Sequence, residues 1–383
     1  MPKNKYYVIT FAAMMSTSSS RPVANSSGPV ANSSRPVAIW IYIGVVMLLV
    51  QVILGGITRL TGSGLSITEW DVVTGVLPPL NAAQWQEAFE KYQHTPQFRL
   101  VNSGFSLSDF KFIFFWEWFH RLWARMVGVV FLVGFAWLLL KRKINQPLVK
   151  PLIILFLLGA LQGAVGWIMV ASGLVGDAIY VAPAKLAMHF IFALGLVVYT
   201  FWVSLCLSVP DGARFAAPGL RRWTIAILIV LFFQLVYGAL MAGHKAANVA
   251  STWPDINGDY VPAGMFRGPW LEALVGNRIT VQFIHRTLAY VLLAGVLIWT
   301  VKAFRLTAVP VGFRPLRWLP LVLIGVQIAL GISSLLTSPW IRPQHWVAFD
   351  WLAQFHQITG LLFLLTMVGM LYLVTSVRRS VMV

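Results

Sequence analysis

Four histidines, His120, His189, His285 and His356, fall inside long apolar runs of a 383-residue chain. An ionisable side chain is costly to keep in such a setting and marks a functional site by default. All four lie early in the runs that carry them. If those runs cross a membrane, the histidines share one depth near its outer side. Two imidazoles on facing helices can grip one heme iron from opposite sides, so the four residues are read as two axial pairs. A single histidine of this kind is as well explained by hydrogen-bonded packing; four at matched positions favour ligation. No carboxylate or thiolate cluster accompanies them at the spacing of a zinc or non-heme iron site.

Glu117 precedes His120 by three residues, which puts both on one helix face. A carboxylate there can relay protons or stabilise developing positive charge; the alternative is an ion pair with Arg121 or Arg125. The matching position in the second half is Gln282. Arg121 and Arg286 each follow a histidine directly. They suit heme propionates, because a guanidinium matches carboxylate geometry, and suit snorkelling to the interface equally well. His94, His244 and His345 carry no repeated pattern and read as loop residues. Cys206 stands alone, so the chain has no internal disulfide or CxxC pair, and it reads as a small apolar core residue.

The elements that must position these residues are helices. The chain is 58% hydrophobic and 11% charged, against about 25% charged in a soluble domain. Several apolar runs reach about 20 residues, the length that crosses a bilayer core, and a backbone in lipid must satisfy itself as a helix or closed barrel. The runs lack strand alternation. Eight spans are expected, near 38–58, 112–140, 149–171, 183–208, 221–243, 278–303, 316–337 and 349–377. The fold class is an all-α integral membrane protein of two duplicated four-helix bundles, 38–208 and 221–377, after a disordered tail, 1–37. That tail holds a seven-residue repeat, Arg21-Pro-Val-Ala-Asn-Ser-Ser followed by Gly28-Pro-Val-Ala-Asn-Ser-Ser, and its lack of acids is also that of a transit peptide.

The duplication is read from spacing. Each odd span carries Gln-x-x-x-Gly, at Gln51, Gln162, Gln234 and Gln327, and each even span carries one of the four histidines. His120 to His285 is 165 residues, Gln162 to Gln327 is 165, and His189 to His356 is 167. Gln51 to Gln234 is 183, because the first outer loop is longer than the third. The Gln-x-x-x-Gly elements read chiefly as packing devices, glycine permitting close approach and glutamine bonding across. The net charge of +17 gathers in alternate loops and at both termini, while eleven of the twelve acids, all but Asp211, fall on the other side. That is the positive-inside pattern: both termini cytoplasmic, or matrix-facing in a mitochondrial inner membrane. The basic loops suit anionic lipid rather than nucleic acid.

Three segments carry a resemblance: Gly55-Gly-Ile-Thr-Arg-Leu-Thr-Gly-Ser-Gly-Leu-Ser66, Phe110-Lys-Phe-Ile with Glu117-Trp-Phe-His120-Arg121, and Asn248 through Trp253-Pro254. With them the chain resembles the heme A synthase family over nearly all of its length after residue 38. The resemblance implies oxidation of the C8 methyl of heme O to a formyl group, giving heme A, by two hydroxylations and loss of water. It implies a resident heme b on His285 and His356, the substrate heme on His120 and His189, and Glu117 as the key carboxylate. It also implies a working link to the heme O synthase that supplies the substrate, and it places the chain in the branch without a loop cysteine pair. The electron donor and oligomeric state stay open. A diheme b-type cytochrome that only passes electrons would need the histidines but not Glu117. A repeat-built transporter would show helix breaks at matched mid-span positions, and the spans are mostly unbroken.

Overall fold

The computed structural model describes residues 35–69, 74–342 and 346–375. Among these the chain is all-helical, and eight helices are long and apolar enough to cross a membrane. They are α1 (Arg35–Leu60), α2 (Leu107–Leu140), α3 (Gln146–Ala171), α4 (Pro183–Ser208), α5 (Pro218–Gly243), α6 (Arg278–Phe304), α7 (Leu319–Thr337) and α8 (Ala348–Leu373). A 26-residue helix such as α4 rises about 39 Å, ample for a hydrocarbon core of about 30 Å.

Local chemistry sets the helix ends. α3, α4, α5 and α7 begin with proline in the first turn, where the missing N–H costs nothing. α2 starts at Leu107, five residues before the expected 112, because Ser106 and Asp109 close a capping box ahead of the apolar run. α1 ends at Leu60, and the turn after it passes through Gly62, whose φ of +68° is easy only for glycine. There Ser63 N–H reaches Thr58 O at 2.9 Å and Gly62 N–H reaches Arg59 O at 3.2 Å, the paired bonds of a Schellman stop. The tail repeat and most of residues 1–37 lie outside the described residues, as do Trp70 and His345.

Within the first half, α1 packs on α2 and α4, and α3 packs on α4. Within the second, α5 packs on α6 and α8, α7 on α8, and α6 on α7. α2 and α3 form no such seam, although Phe131 and Phe156 stack with centroids 6.3 Å apart. The halves meet where α4 packs on α5 and α8 packs on α4 and α1. Across that seam Gln357 donates to Val52 O (2.9 Å) and Gln354 to Ile53 O (3.2 Å).

The loop between α1 and α2 folds back over the start of α2. Its helix Ala82–Gln93 contributes Phe89 and Tyr92 to a buried aromatic cluster with Phe105, Phe110 and Phe114. Tyr92 donates to Gln97 and accepts from Asn102, and burial pushes its phenol up to about 12, so this cluster stays uncharged across ordinary pH.

Candidate functional site

Each histidine sits within the first half of its helix, at the end of the bundle that faces the long loops. Each is held by the preceding odd helix through one repeated device. Gln51 Nε2 lies 3.3 and 3.2 Å from the two ring nitrogens of His120, and a Cβ on Gly55 would stand 3.2 Å from His120 Cε1. Gln162 Nε2 lies 3.1 and 3.4 Å from the ring nitrogens of His189, with Gly166 against the same ring. Gln234 and Gly238 hold His285, and Gln327 and Gly331 hold His356. One turn of helix separates glutamine from glycine, so both face the neighbouring imidazole. The glycine removes the side chain that would push the ring away. The Gln-x-x-x-Gly element is therefore a clasp on a histidine, beyond the general packing role that composition suggests.

The rings of His285 and His356 stand 6.4 Å apart between centroids, inclined at 71°. Two metal–nitrogen bonds of about 2 Å, in line and each backed by half a ring, span roughly that gap. The buried polar atoms here without a protein partner include Gln234 Oε1, Gln327 Oε1 and His285 Nδ1. The donor set, paired neutral imidazoles in apolar walls, fits a heme iron. Among the described residues no three His, Cys, Asp or Glu side chains gather in one metal-holding cluster.

Glu117 is 2% exposed and fully engaged. Its Oε2 accepts from Ser66 N–H (2.7 Å), Ser66 Oγ (2.7 Å) and Ile67 N–H (2.9 Å), and its Oε1 pairs with Arg121 at 2.5 Å. Arg121 also donates to Ile67 O and Glu69 O at 3.4 Å. The expected alternative, an ion pair with Arg121, is thus present, and it holds the turn after α1 against the helix that carries His120. Gln282 performs the matched task with reversed polarity. Its Nε2 donates to Ala246 O (3.2 Å) and Ala250 O (2.9 Å), while Arg286 donates to Asp255 O (2.7 Å) and Ala250 O (3.2 Å). Both arginines therefore serve loop carbonyls.

Asp255 itself shapes the loop between α5 and α6. Gly258 N–H bonds its carboxylate at 2.9 Å, and together with Thr252 this holds its carboxyl below the usual range. His94 bonds Glu90 O and His244 bonds Val275 O, as expected of loop residues. Sequence reasoning missed the anchoring role of Ser66 and Ile67; the Thr61-Gly-Ser-Gly run signalled a chain reversal, but its partner lies 51 residues away. It also missed Asp350, 6% exposed at the start of α8 with Val347 N–H on its carboxylate.

The sequence matches the family described as cytochrome oxidase assembly protein over residues 38–368. It is 43% identical over 302 residues to the protein named heme A synthase of Rhodopseudomonas palustris, covering 78% of this chain and 80% of that one. It is 43% identical over 303 residues to the heme A synthase of Bradyrhizobium diazoefficiens, covering 78% and 83%. With the heme A synthase of Nitrosospira multiformis the identity is 41% over 305 residues, covering 78% and 85%.

Proposed function

The chain belongs to the cytochrome oxidase assembly protein family, and from that premise we propose a division of labour between its two histidine pairs. The protein is a multi-pass membrane oxidoreductase that converts heme O to heme A. The reaction turns a ring methyl into a formyl group, withdrawing four electrons and adding one oxygen atom. The second half, through His285 and His356, is the holder of a resident heme b. The first half, through His120 and His189, takes the substrate.

The observation that carries this division is the difference between the halves. In the second half α6 packs on α7 and closes the bundle; in the first, α2 and α3 form no such seam. A substrate that arrives and leaves through lipid needs the open bundle, and a permanent cofactor the closed one. The acid agrees: Glu117 stands in the open half and the neutral Gln282 in the closed one.

Heme b, when bound, supplies one-electron transfer. The chain's own residues do the rest. Gly55 and Gly166 leave room for the His120 and His189 rings, and Gln51 and Gln162 orient them. Glu117 and Arg121 hold the turn at Ser66–Ile67 against the helix that bears His120. Every donor around Glu117 points at its oxygens. The carboxylate therefore acts as an acceptor, suited to stabilising positive charge that develops on a neighbouring substrate. The protein lies in an inner membrane with both termini cytoplasmic and the histidines toward the outer side, by the charge asymmetry of its loops. It draws electrons from an external donor and substrate from a heme O synthase.

Single alanine replacements test the division. His285→Ala or His356→Ala removes the resident low-spin heme from the purified protein, whereas His120→Ala or His189→Ala leaves it and abolishes product. Loss of the resident heme from the first-half variants, with retention in the second-half ones, would reverse the assignment.

A further inference from the structure

At the end of the bundle away from the histidines, α5 carries two arginines with no task inside the protein. Arg221 and Arg222 are its fourth and fifth residues, and both are exposed. Among the described residues neither side chain makes a hydrogen bond or an ion pair. Further along α5, Ile225, Leu228, Ile229, Phe232 and Phe233 follow at helical spacing, so they continue the face that the two arginines begin. With Leu371 of α8 they line a shallow groove of about 400 Å³ that has no polar residue in its wall. Ile225, Leu228 and Leu371 are half-buried and make its floor, while Ile229, Phe232 and Phe233 are exposed and make its sides.

Such a groove alone is indifferent to its occupant, because lipid tails are as apolar as leucine. The charge at its mouth is what selects. Side chains on a helix lean toward its N-terminus, so both guanidiniums rise to the membrane surface, about 5 Å of helix axis above Ile225. No side chain caps the first turn of α5, and the positive end of its dipole adds to the same charge. The chain leading into α5 is tied to the end of α8, with Phe215 N–H on Leu373 O (2.9 Å) and Ala217 N–H on Val374 O (3.4 Å). That brings Arg214 to the same corner, its guanidinium 4.6 Å over the Tyr372 ring. The neighbouring acid, Asp211, stands 4.0 Å from Arg214 and leaves Arg221 and Arg222 unneutralised. Topology accounts for basic residues at this surface; it does not account for two of them in line with an apolar groove.

We propose that this corner is a seat for one anionic phospholipid of the cytoplasmic leaflet, its phosphate on Arg221 and Arg222 and an acyl chain along Ile225, Ile229 and Phe233 against Leu371. The lipid braces α5 against α8, the helices that carry Gln234 and His356.

The test uses lipid-stripped full-length protein in detergent, its Soret spectrum intact. It is titrated with phosphatidylglycerol or with phosphatidylcholine of the same acyl chains, and lipids bound per protein are counted by native mass spectrometry. Wild type is expected to hold one phosphatidylglycerol roughly 30-fold more tightly than phosphatidylcholine, from about 1 kcal/mol per arginine near the surface. Arg221→Gln with Arg222→Gln is expected to erase that preference. Arg305→Gln with Arg314→Gln takes the same charge from the same surface and is expected to leave it. Ile229→Trp fills the groove from an exposed position and is expected to weaken both lipids alike by about tenfold, the loss of roughly two buried methylenes. Equal losses from the two arginine pairs would reduce the effect to diffuse surface charge, and undiminished binding by Ile229→Trp would show that the groove is not the seat; either result overturns the proposal. Displacement of the lipid by an equal concentration of glycerol phosphate would also overturn it, by assigning the cations to a free phosphate ester. Should the double variant lose its Soret band, Arg221→Gln and Arg222→Gln singly decide, each with an expected loss of about fivefold.

Discussion

At the residue scale the most fully bonded buried acid is Glu117. A buried carboxylate is stable only when its oxygens are fully served, and here four donors do so. Removing it takes that partner from the N–H and hydroxyl of Ser66, the N–H of Ile67 and the Arg121 guanidinium, a loss of about 3–5 kcal/mol for a broken buried pair. Glu117→Ala is therefore expected to lower the melting temperature in detergent, keep the resident heme and stop product formation. Unchanged heme A yield would take Glu117 out of the reaction. Glu117 and the four histidines were legible in the sequence because ionisable residues in apolar runs announce themselves. The carboxylate's partners were not, since backbone N–H groups of a distant turn leave no mark in residue type. Asp255 gives the pH-dependent case. Its carboxyl is held below its unfolded value, so its contribution is complete above about pH 4 and is lost as pH falls through the folded value. Once divided by the intrinsic exchange rate at each pH, the protection of residues 251–259 is expected to be flat from pH 5 to 8 and to fall only in acid; a fall near pH 6.5 would point to a histidine instead.

At the element scale the clasp turns helix periodicity into site geometry. Gly166 and Gly331 approach their histidines most closely, with a Cβ meeting Cε1 at 2.9 Å, while Gly55 and Gly238 leave 3.2 and 3.3 Å. Alanine at Gly166 or Gly331 should displace the ring at an overpacking cost of about 1–3 kcal/mol, with milder effects at Gly55 and Gly238. Soret spectra of the four variants check that order. Gly56 makes a different close approach: a Cβ there would collide with Gln354 Oε1 and meet Gln357 at 2.9 Å. Gly56→Ala is expected to loosen the seam between halves and lower the melting temperature, while leaving each histidine with its own glutamine. The Gln-x-x-x-Gly spacing was visible as a pattern. That it clasps histidines was not, because helix pairing across the bundle has no signature within one helix.

At the scale of the whole molecule, hydropathy sufficed to place eight spans, while their ends moved by up to five residues: a cap starts α2 at Leu107, α7 starts at Leu319 where 316 was expected, and α8 stops at Leu373 where 377 was expected. The difference in closure between the halves was hidden from the sequence, since α3 and α7 are about equally apolar and only their neighbours distinguish them. The orientation follows from loop charge: in a bacterial host a fluorescent protein fused to the C-terminus should fluoresce, and an alkaline phosphatase fused there should stay inactive. The reverse result would invert the bundle and bring the histidines to the cytoplasmic side. The conversion itself is tested most directly by extracting hemes from membranes that contain a heme O source, with and without this chain, and separating them by chromatography. The account predicts heme A only where the chain is present, with heme O depleted. Heme O left unchanged beside a purified protein that still holds heme b would contradict it and leave an electron-transfer cytochrome in its place.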